Sequence, residues 1–523
     1  MTYTSTPHVL VVETPGLGNR GYIAHDGHYA VVIDPQRDID RVEHLLAEHG
    51  LVVSHVVETH VHNDYVTGGL DLARRHGAAY LVPADAPVPF EHTPVRDGDS
   101  FVVGGLAITV LATPGHTPHH VSYSIERGQQ GTSQPSAHPG AVFTGGSMLY
   151  GAVGRPDLVL PELTEGLAHD QWHSVQRLAD ELASDTRVYP THGFGSFCAA
   201  TQNEGTAGTI ADERATNPAL TNDEEGFVEE TLAGLDVFPA YYAHMGPANA
   251  AGPDSVDLSL PSPADPAELR ERIERGEWVI DLRSREVFAA GHLRGSLSFD
   301  LDGPFIAYVG WLIPWGSPVT LLGETTEQVQ AAHRELVRIG IDRPVAQSVG
   351  GPVFWSDDST AIATTERVDF GGLAAIVAEH PNSYVLDVRQ HLEWEESHIV
   401  GAHHMPFYQV PDRVSEIPTD RPVYVSCGSG YRAAAVISLL RSPVFSSPVF
   451  SSAVFSSPVY FENLVHVDDD WVNAPRTTLP IVAGRTPDRS VGWTWTESRG
   501  TARTFDESRG RDLTVGSAGR VIA

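Results

Sequence analysis

The sequence predicts a multidomain α/β chain, and three observations carry that expectation. Its 523 residues suffice for three or four domains, each with its own core. Short apolar strands alternate with helix-like stretches through the first half. Near the C-terminal end a strand, a glycine-bearing turn and a helix surround a single cysteine, Cys427.

In chain order, Val9 to Val12 and Tyr29 to Ile33 read as strands, and Arg41 to Glu48 as a helix. Val52 to Val57 and Ala107 to Leu111 are further strands. The polar segment Gly128 to Gly140, rich in Gln, Ser, Gly and Pro, reads as a surface loop. From Gly246 to Pro266 the composition shifts to Pro, Ala, Ser and Asp, which marks a linker. Trp278 to Leu282 opens the next strand, and Val353 to Glu366 forms a second junction. These boundaries give domains at 1–247, 258–360 and 367–482, followed by a polar tail at 484–523 that is expected to be disordered. Within the third domain Ser442-Pro443-Val444-Phe445-Ser446 recurs twice, so 442–461 reads as a duplicated loop insertion. A period of five is too short for a solenoid repeat, whose unit is ~20 residues or more.

Composition excludes several classes. Net charge is -33, from 34 basic and 67 acidic residues. Nucleic acid or an anionic membrane would need a basic face, so neither is expected as a partner. All the basic residues are arginine, which removes lysine Schiff-base and phosphate-loop lysine chemistry. With two cysteines, Cys198 and Cys427, in what read as separate domains, no disulfide framework exists. A reducing cytoplasm is the expected compartment. No stretch approaches the ~18 to 20 apolar residues of a membrane span, and assembly into a homo-oligomer is left open.

Chemistry concentrates in two places. Cys427-Gly428-Ser429-Gly430-Tyr431-Arg432 follows the strand Val423-Tyr424-Val425 and enters the helical run Ala433 to Ile437. Turn N–H groups and a helix N-terminus there favour a thiolate, and would also hold the terminal sulfur of a persulfide. Arg432 adds a permanent charge. The second place is Thr59-His60-Val61-His62-Asn63-Asp64, directly after a strand, where histidines two apart can reach one metal and Asp64 a neighbouring position. His116 and His192 each sit in a turn after a later strand.

The Cys427 loop, with Asp387-Val388-Arg389, Glu393-Trp394 and His398-Ile399-Val400-Gly401-Ala402 upstream, resembles the rhodanese sulfurtransferases. Residues 258–360 repeat that signature as Asp281-Leu282-Arg283, Glu286-Val287-Phe288 and Gly291-His292-Leu293-Arg294-Gly295. There, however, Gly323 stands at the cysteine position and Gln328 at the arginine position, so this domain is expected to be silent. The histidine set resembles the metallo-β-lactamase superfamily, which implies a four-layer αβ/βα sandwich. Tyr65 stands where its first motif ends in His, and Gly146 where a bridging Asp follows Phe143-Thr144-Gly145, so a mononuclear centre is expected.

Among superfamily members the chain resembles the bacterial persulfide dioxygenase–rhodanese fusions, including a Gly154-Arg155-Pro156-Asp157 stretch. The resemblance implies one non-haem Fe(II), with His60 and His116 as ligands and His62, Asp64 or His192 near by; the alternatives are Zn(II) with thioester hydrolysis, or a degenerate non-catalytic metal domain beside an active sulfurtransferase. It implies a small-molecule persulfide or thiosulfate as substrate, a thiol carrier, Cys427 carrying sulfane sulfur, and Arg432 with the N–H groups of Gly428 to Tyr431 stabilising it. Cys198 is a candidate sulfur relay at the mouth of the metal site. If Gly146 leaves a vacancy, Gly146→Asp is expected to tighten iron binding.

Overall fold

A computed structural model describes residues 7–127, 140–201, 205, 207–446 and 461–483, with the strand segments 491–496, 501–506, 511–515 and 521–522. The loop at 128–139 and most of the five-residue repeat lie outside the described residues; its first copy forms a 3-10 turn at Pro443–Ser446. The chain divides into two compact units, Met1–Val256 with Val337–Gly340, and Asp257–Leu336 with Ile341–Ala523.

The first unit is built on two six-stranded sheets. One runs His8–Thr14, Asn19–His25, Tyr29–Ile33, Val52–Val57, Ala79–Pro83 and Thr93–Val95, each strand beside the next. The other orders Gly208–Thr209, Arg187–Pro190, Ala141–Gly145, Val121–Arg127, Leu106–Ala112 and Ser100–Val103. Alternation along the strands explains the layering. Tyr22, Ala24, Val31, Ile33 and Val57 pack against Leu106, Ile108, Val110, Tyr123 and Phe143, in one core between the sheets. Their neighbours Ile23, Val32 and Val56 point the other way, onto Val42, Leu46, Leu70 and Leu72 of the helices Asp40–Glu48 and Gly69–His76. On the far side Val142 and Val188 meet Val175 and Leu178 of Thr164–Glu181. Helix, sheet, sheet, helix is the four-layer sandwich expected from the sequence.

The second unit holds two parallel sheets of matching order. Leu297–Ser298, Trp278–Asp281, Val319–Gly323 and Ala346–Val349 form one. Glu366–Val368, Leu464–Val467, Val423–Ser426, Tyr384–Asp387 and His403–His404 form the other. The duplication extends to side chains. Arg283 pairs with Asp281 and donates to the Gly291 carbonyl, as Arg389 pairs with Asp387 and donates to the Ser397 carbonyl. Phe288 stacks on His292 and Trp394 on His398, each at 3.8 Å between centroids.

Val491–Thr496, Thr501–Asp506, Arg511–Val515 and Val521–Ile522 pair as a four-stranded antiparallel sheet. Alternation in Val491-Gly492-Trp493-Thr494-Trp495-Thr496 accounts for this, because Trp and Thr at period two favour a strand even in a polar segment. Among the described residues no helix is long and apolar enough to cross a membrane.

Candidate functional sites

The metal-ligand candidates of the first unit lie on loops that leave the C-terminal ends of strands. His60, His62 and Asp64 follow Val52–Val57, His116 follows Leu106–Ala112, and His192 follows Arg187–Pro190. All five are buried. Ligand atoms of His60, His116 and His192 lie within 4.8 Å of one another, and so do those of His62, Asp64 and His192.

Their hydrogen bonds fix which ring nitrogen faces inward. His116 Nδ1 donates to the Arg155 carbonyl at 2.8 Å, which can only accept, so His116 Nε2 is a bare lone pair. It is buried with no hydrogen-bond partner. Thr59 Oγ1 donates to Asp34 Oδ2 and so accepts from His60 Nδ1, again leaving Nε2 bare. His192 Nδ1 faces Asn19 Oδ1 at 3.0 Å and Asp64 Oδ2 at 3.1 Å, both acceptors. Its Nε2 then meets His60 Nε2 at 3.3 Å. Two lone pairs held that close repel unless a cation lies between them, and acceptors on the far ring nitrogen that set the tautomer in this way are how proteins present imidazole to a metal. Burial, then the neighbouring histidines, push His60 and His116 well below the usual imidazole range, consistent with neutral ligands. The residues fit a metal ion.

His62 sits differently. Its Nε2 faces Asp34 Oδ1 and Glu58 Oε2, each at 3.3 Å, and the Tyr65 hydroxyl at 2.9 Å. Burial alone would depress it, but the two carboxylates override that and raise it to about 10. Its Nδ1, like Asp64 Oδ1, is buried without a hydrogen bond, which leaves both free to face the His192 side.

Gly146 forms no vacancy for a carboxylate. A Cβ built there would fall 2.2 Å from His116 Cδ2, so the imidazole already occupies the space of the missing aspartate. The Gly146 N–H donates to His120 Nε2 at 3.1 Å. The expectation that Gly146→Asp tightens iron binding is therefore corrected. That change is expected to displace His116 and lower bound metal, read by metal analysis of the purified protein.

Three contributors escaped the sequence reading. His120 anchors Gly146 and stacks on His60 at 4.9 Å; burial pushes it down to about 3. Asn19 clamps both His192 and Asp64. Asp34 accepts from the Thr59 N–H, Thr59 Oγ1 and Thr191 Oγ1, at 2.8, 2.8 and 2.5 Å, and also faces His62. It is the one non-glycine at positive φ among the described residues, at 48°, a costly backbone state that persists only where surroundings enforce it. Asp34→Asn is expected to weaken metal binding by about 10- to 100-fold, as loss of a group that orients a ligand does, measured by chelator competition.

Cys198 does not lie at an open mouth. It is fully buried, 3.8 Å from the Tyr242 hydroxyl. Burial and then the Asp64 charge push its thiol well up. Nearby Arg155 pairs with Asp157 at 2.6 Å, so the Gly-Arg-Pro-Asp stretch supplies the His116 acceptor through its backbone and an ion pair through its side chains.

In the second unit Cys427 ends the strand Val423–Ser426 and is 1% exposed. The Gly430 N–H donates to its sulfur at 3.1 Å. Gly430 has φ +84°, and a Cβ there would lie 2.3 Å from Asp468 Oδ1, so only glycine turns the chain at this point. The Gly428 carbonyl accepts from the Trp471 N–H at 2.8 Å, and Ser429 is exposed. Tyr431 opens the wholly buried helix Tyr431–Leu440. Arg432 forms a two-pronged pair with Glu393, one contact at 2.7 Å, which fixes the guanidinium beside the loop.

The corresponding loop of the first half is closed on itself. Gln328 Oε1 accepts from the Glu324 N–H at 2.8 Å, and Gln328 Nε2 donates to the Leu282 carbonyl at 3.0 Å. An amide thus closes the loop that in the other half surrounds a sulfur.

Residues 373–460 match the rhodanese-like domain family. The chain is 30% identical to the mitochondrial persulfide dioxygenase ETHE1 of Homo sapiens over 235 residues, which is 45% of this chain and 77% of that protein. It is 32% identical to the hydroxyacylglutathione hydrolase of Thiobacillus denitrificans over 228 residues, covering 42% of this chain and 88% of that one. A crystal structure described as a metallo-beta-lactamase from Staphylococcus aureus superposes with a TM-score of 0.58 at 26% identity, covering 66% of this chain and 99% of that one.

Proposed function

We propose a function from one premise: the chain belongs to the metallo-β-lactamase-fold family of persulfide dioxygenases and hydroxyacylglutathione hydrolases, joined here to a rhodanese-like domain. Those relatives support an enzyme of sulfur metabolism. The reading is oxidation of a low-molecular-weight persulfide at the histidine centre, coupled to sulfane-sulfur transfer through Cys427. The observation that carries it is the pairing in one chain of converging imidazole lone pairs with a cradled cysteine.

His60, His116 and His192 would hold the metal, with His62 and Asp64 beside them. A bound Fe(II) would supply oxygen activation at open coordination positions, whereas a bound Zn(II) would supply carbonyl polarisation. The chain's own contribution is orientation. The Arg155 carbonyl, Thr59 and Asn19 hold the three rings in their metal-ready tautomers, and burial keeps bulk water from the centre. In the second unit the Gly430 N–H would hold the sulfur on Cys427, and Arg432, positioned by Glu393, would set the local field. Sulfur would arrive on a small thiol carrier or as thiosulfate.

The test is oxygen uptake by the Fe(II)-loaded protein given a small-molecule persulfide, with sulfite and thiosulfate assayed in parallel. Uptake matched by those products is the expected result; no uptake overturns the dioxygenase part. The second reading, a zinc-dependent thioester hydrolase fused to a sulfurtransferase, is favoured by one specific feature, the glycine at 146 where an iron-binding carboxylate would stand. Hydrolysis of a glutathione thioester by the zinc-loaded protein would select it.

A further inference from the structure

The half that lost its cysteine does not stand apart from the one that kept it. The Tyr431 hydroxyl, inside the Cys427 loop, donates to the Asp300 carbonyl at 2.9 Å. Arg285 reaches Asp468, beside Gly430, at 2.7 Å. The Ser298 N–H donates to Ser438 Oγ, in the helix behind the loop, at 2.9 Å. From the same half comes the helix Phe305–Leu312, buried throughout except for Tyr308, which is half-buried. The Tyr308 ring lies 5.4 Å from the Tyr431 ring and 5.0 Å from that of Phe407. Its hydroxyl has no hydrogen-bond partner among the described residues, although Arg432, Glu393 and Cys427 all act on it electrostatically. A hydroxyl without a hydrogen-bond partner, held against the Cys427 loop by the packed rings of Tyr431 and Phe407, is arranged for something that arrives with the substrate.

We infer that Tyr308 is a catalytic residue of sulfur transfer at Cys427, its hydroxyl donating a hydrogen bond to the departing thiolate. The inference rests on the sulfurtransferase reading above and supplies a role for the silent half. In the step, the Cys427 thiolate attacks the outer sulfur of R–S–S–H. A new S–S bond forms at Cys427 and the donor's S–S bond breaks, its electron pair leaving with R–S⁻. The proton stays on the transferred sulfur, giving Cys427–S–S–H, and the sulfur moves without net oxidation or reduction. Negative charge thus passes from Cys427 to the leaving sulfur. Burial raises the Tyr308 hydroxyl above its usual range, so it serves as a hydrogen-bond donor and keeps its proton.

The test is a rapid-quench single turnover on the full chain with Tyr308→Phe, which keeps the ring and removes only the hydroxyl. Two persulfide donors are compared, one releasing an alkyl thiol and one an aromatic thiol, with added sulfur read from the mass of the Cys427 peptide. With the alkyl donor, loading should slow roughly tenfold, in keeping with loss of a hydrogen bond to a charged group. The aromatic donor should be affected far less, because its thiolate leaves without help, and final sulfur per Cys427 should be unchanged for both. Equal slowing with both donors would mean a packing role and overturn the inference, as would no slowing. Failure of the unaltered protein to load any sulfur would overturn the sulfurtransferase reading and this inference together.

Discussion

A Cys427→Ser protein is expected to fold normally and to lose sulfane-sulfur transfer. The Gly430 N–H that faces the sulfur at 3.1 Å can donate equally to a serine oxygen. The helix Tyr431–Leu440 behind it, buried along its whole length, is untouched. The alcohol, however, cannot be turned over as a carrier of sulfane sulfur. The loss should be on the order of a thousandfold or more, as when a covalent nucleophile is removed. Transfer from a persulfide or thiosulfate to cyanide measures it, with the thermal midpoint as control. Turnover retained at the parent rate would remove Cys427 from the mechanism.

His116→Ala should act on the other centre alone. The ring's Nε2 is buried and bare, and its Nδ1 is committed to the Arg155 carbonyl, so alanine deletes a ligand rather than weakening one. Loss of a group that only orients a ligand costs about 10- to 100-fold in affinity, and loss of the ligand itself should exceed that and bring bound metal to background. Elemental analysis reads the metal, and the Cys427 transfer assay should be unchanged on the same sample. Unaltered metal content would overturn the three-histidine centre.

The parts of these sites that were legible in the sequence are those whose chemistry is local. Cys427 to Arg432 is one turn between a strand and a helix, so its spacing alone announces the cradle. Asp281-Leu282-Arg283 and Asp387-Val388-Arg389 announce the duplication because each Asp–Arg pair closes within three residues. What stayed hidden depends on closure over long separations. Asp34 is an ordinary Asp-Pro in the sequence, and it matters only once Thr59, His62 and Thr191 fold around it. His192 was visible as a histidine in a turn, but its direct approach to His60 needed the second sheet in place. Tyr308 was unreadable, since it belongs to a domain whose own loop carries no cysteine. Gly146 misled in the opposite direction: the missing side chain looked like a gap, and the gap is filled by the ring of His116.

The amide of Gln328 bears on the history of the chain. A mutation restoring cysteine at 323 would place its Cβ 3.1 Å from Gln328 Oε1, with a carbonyl dipole pointing at any anion formed there. It would also meet a backbone N–H already claimed at Glu324, with no arginine at the loop's end. Neither Gly323→Cys nor Gln328→Arg alone is expected to give a working loop, so no single step back would be rewarded. Such a ratchet would hold the copy without a cysteine where it is and leave its sequence free to be shaped by what it does for its neighbour.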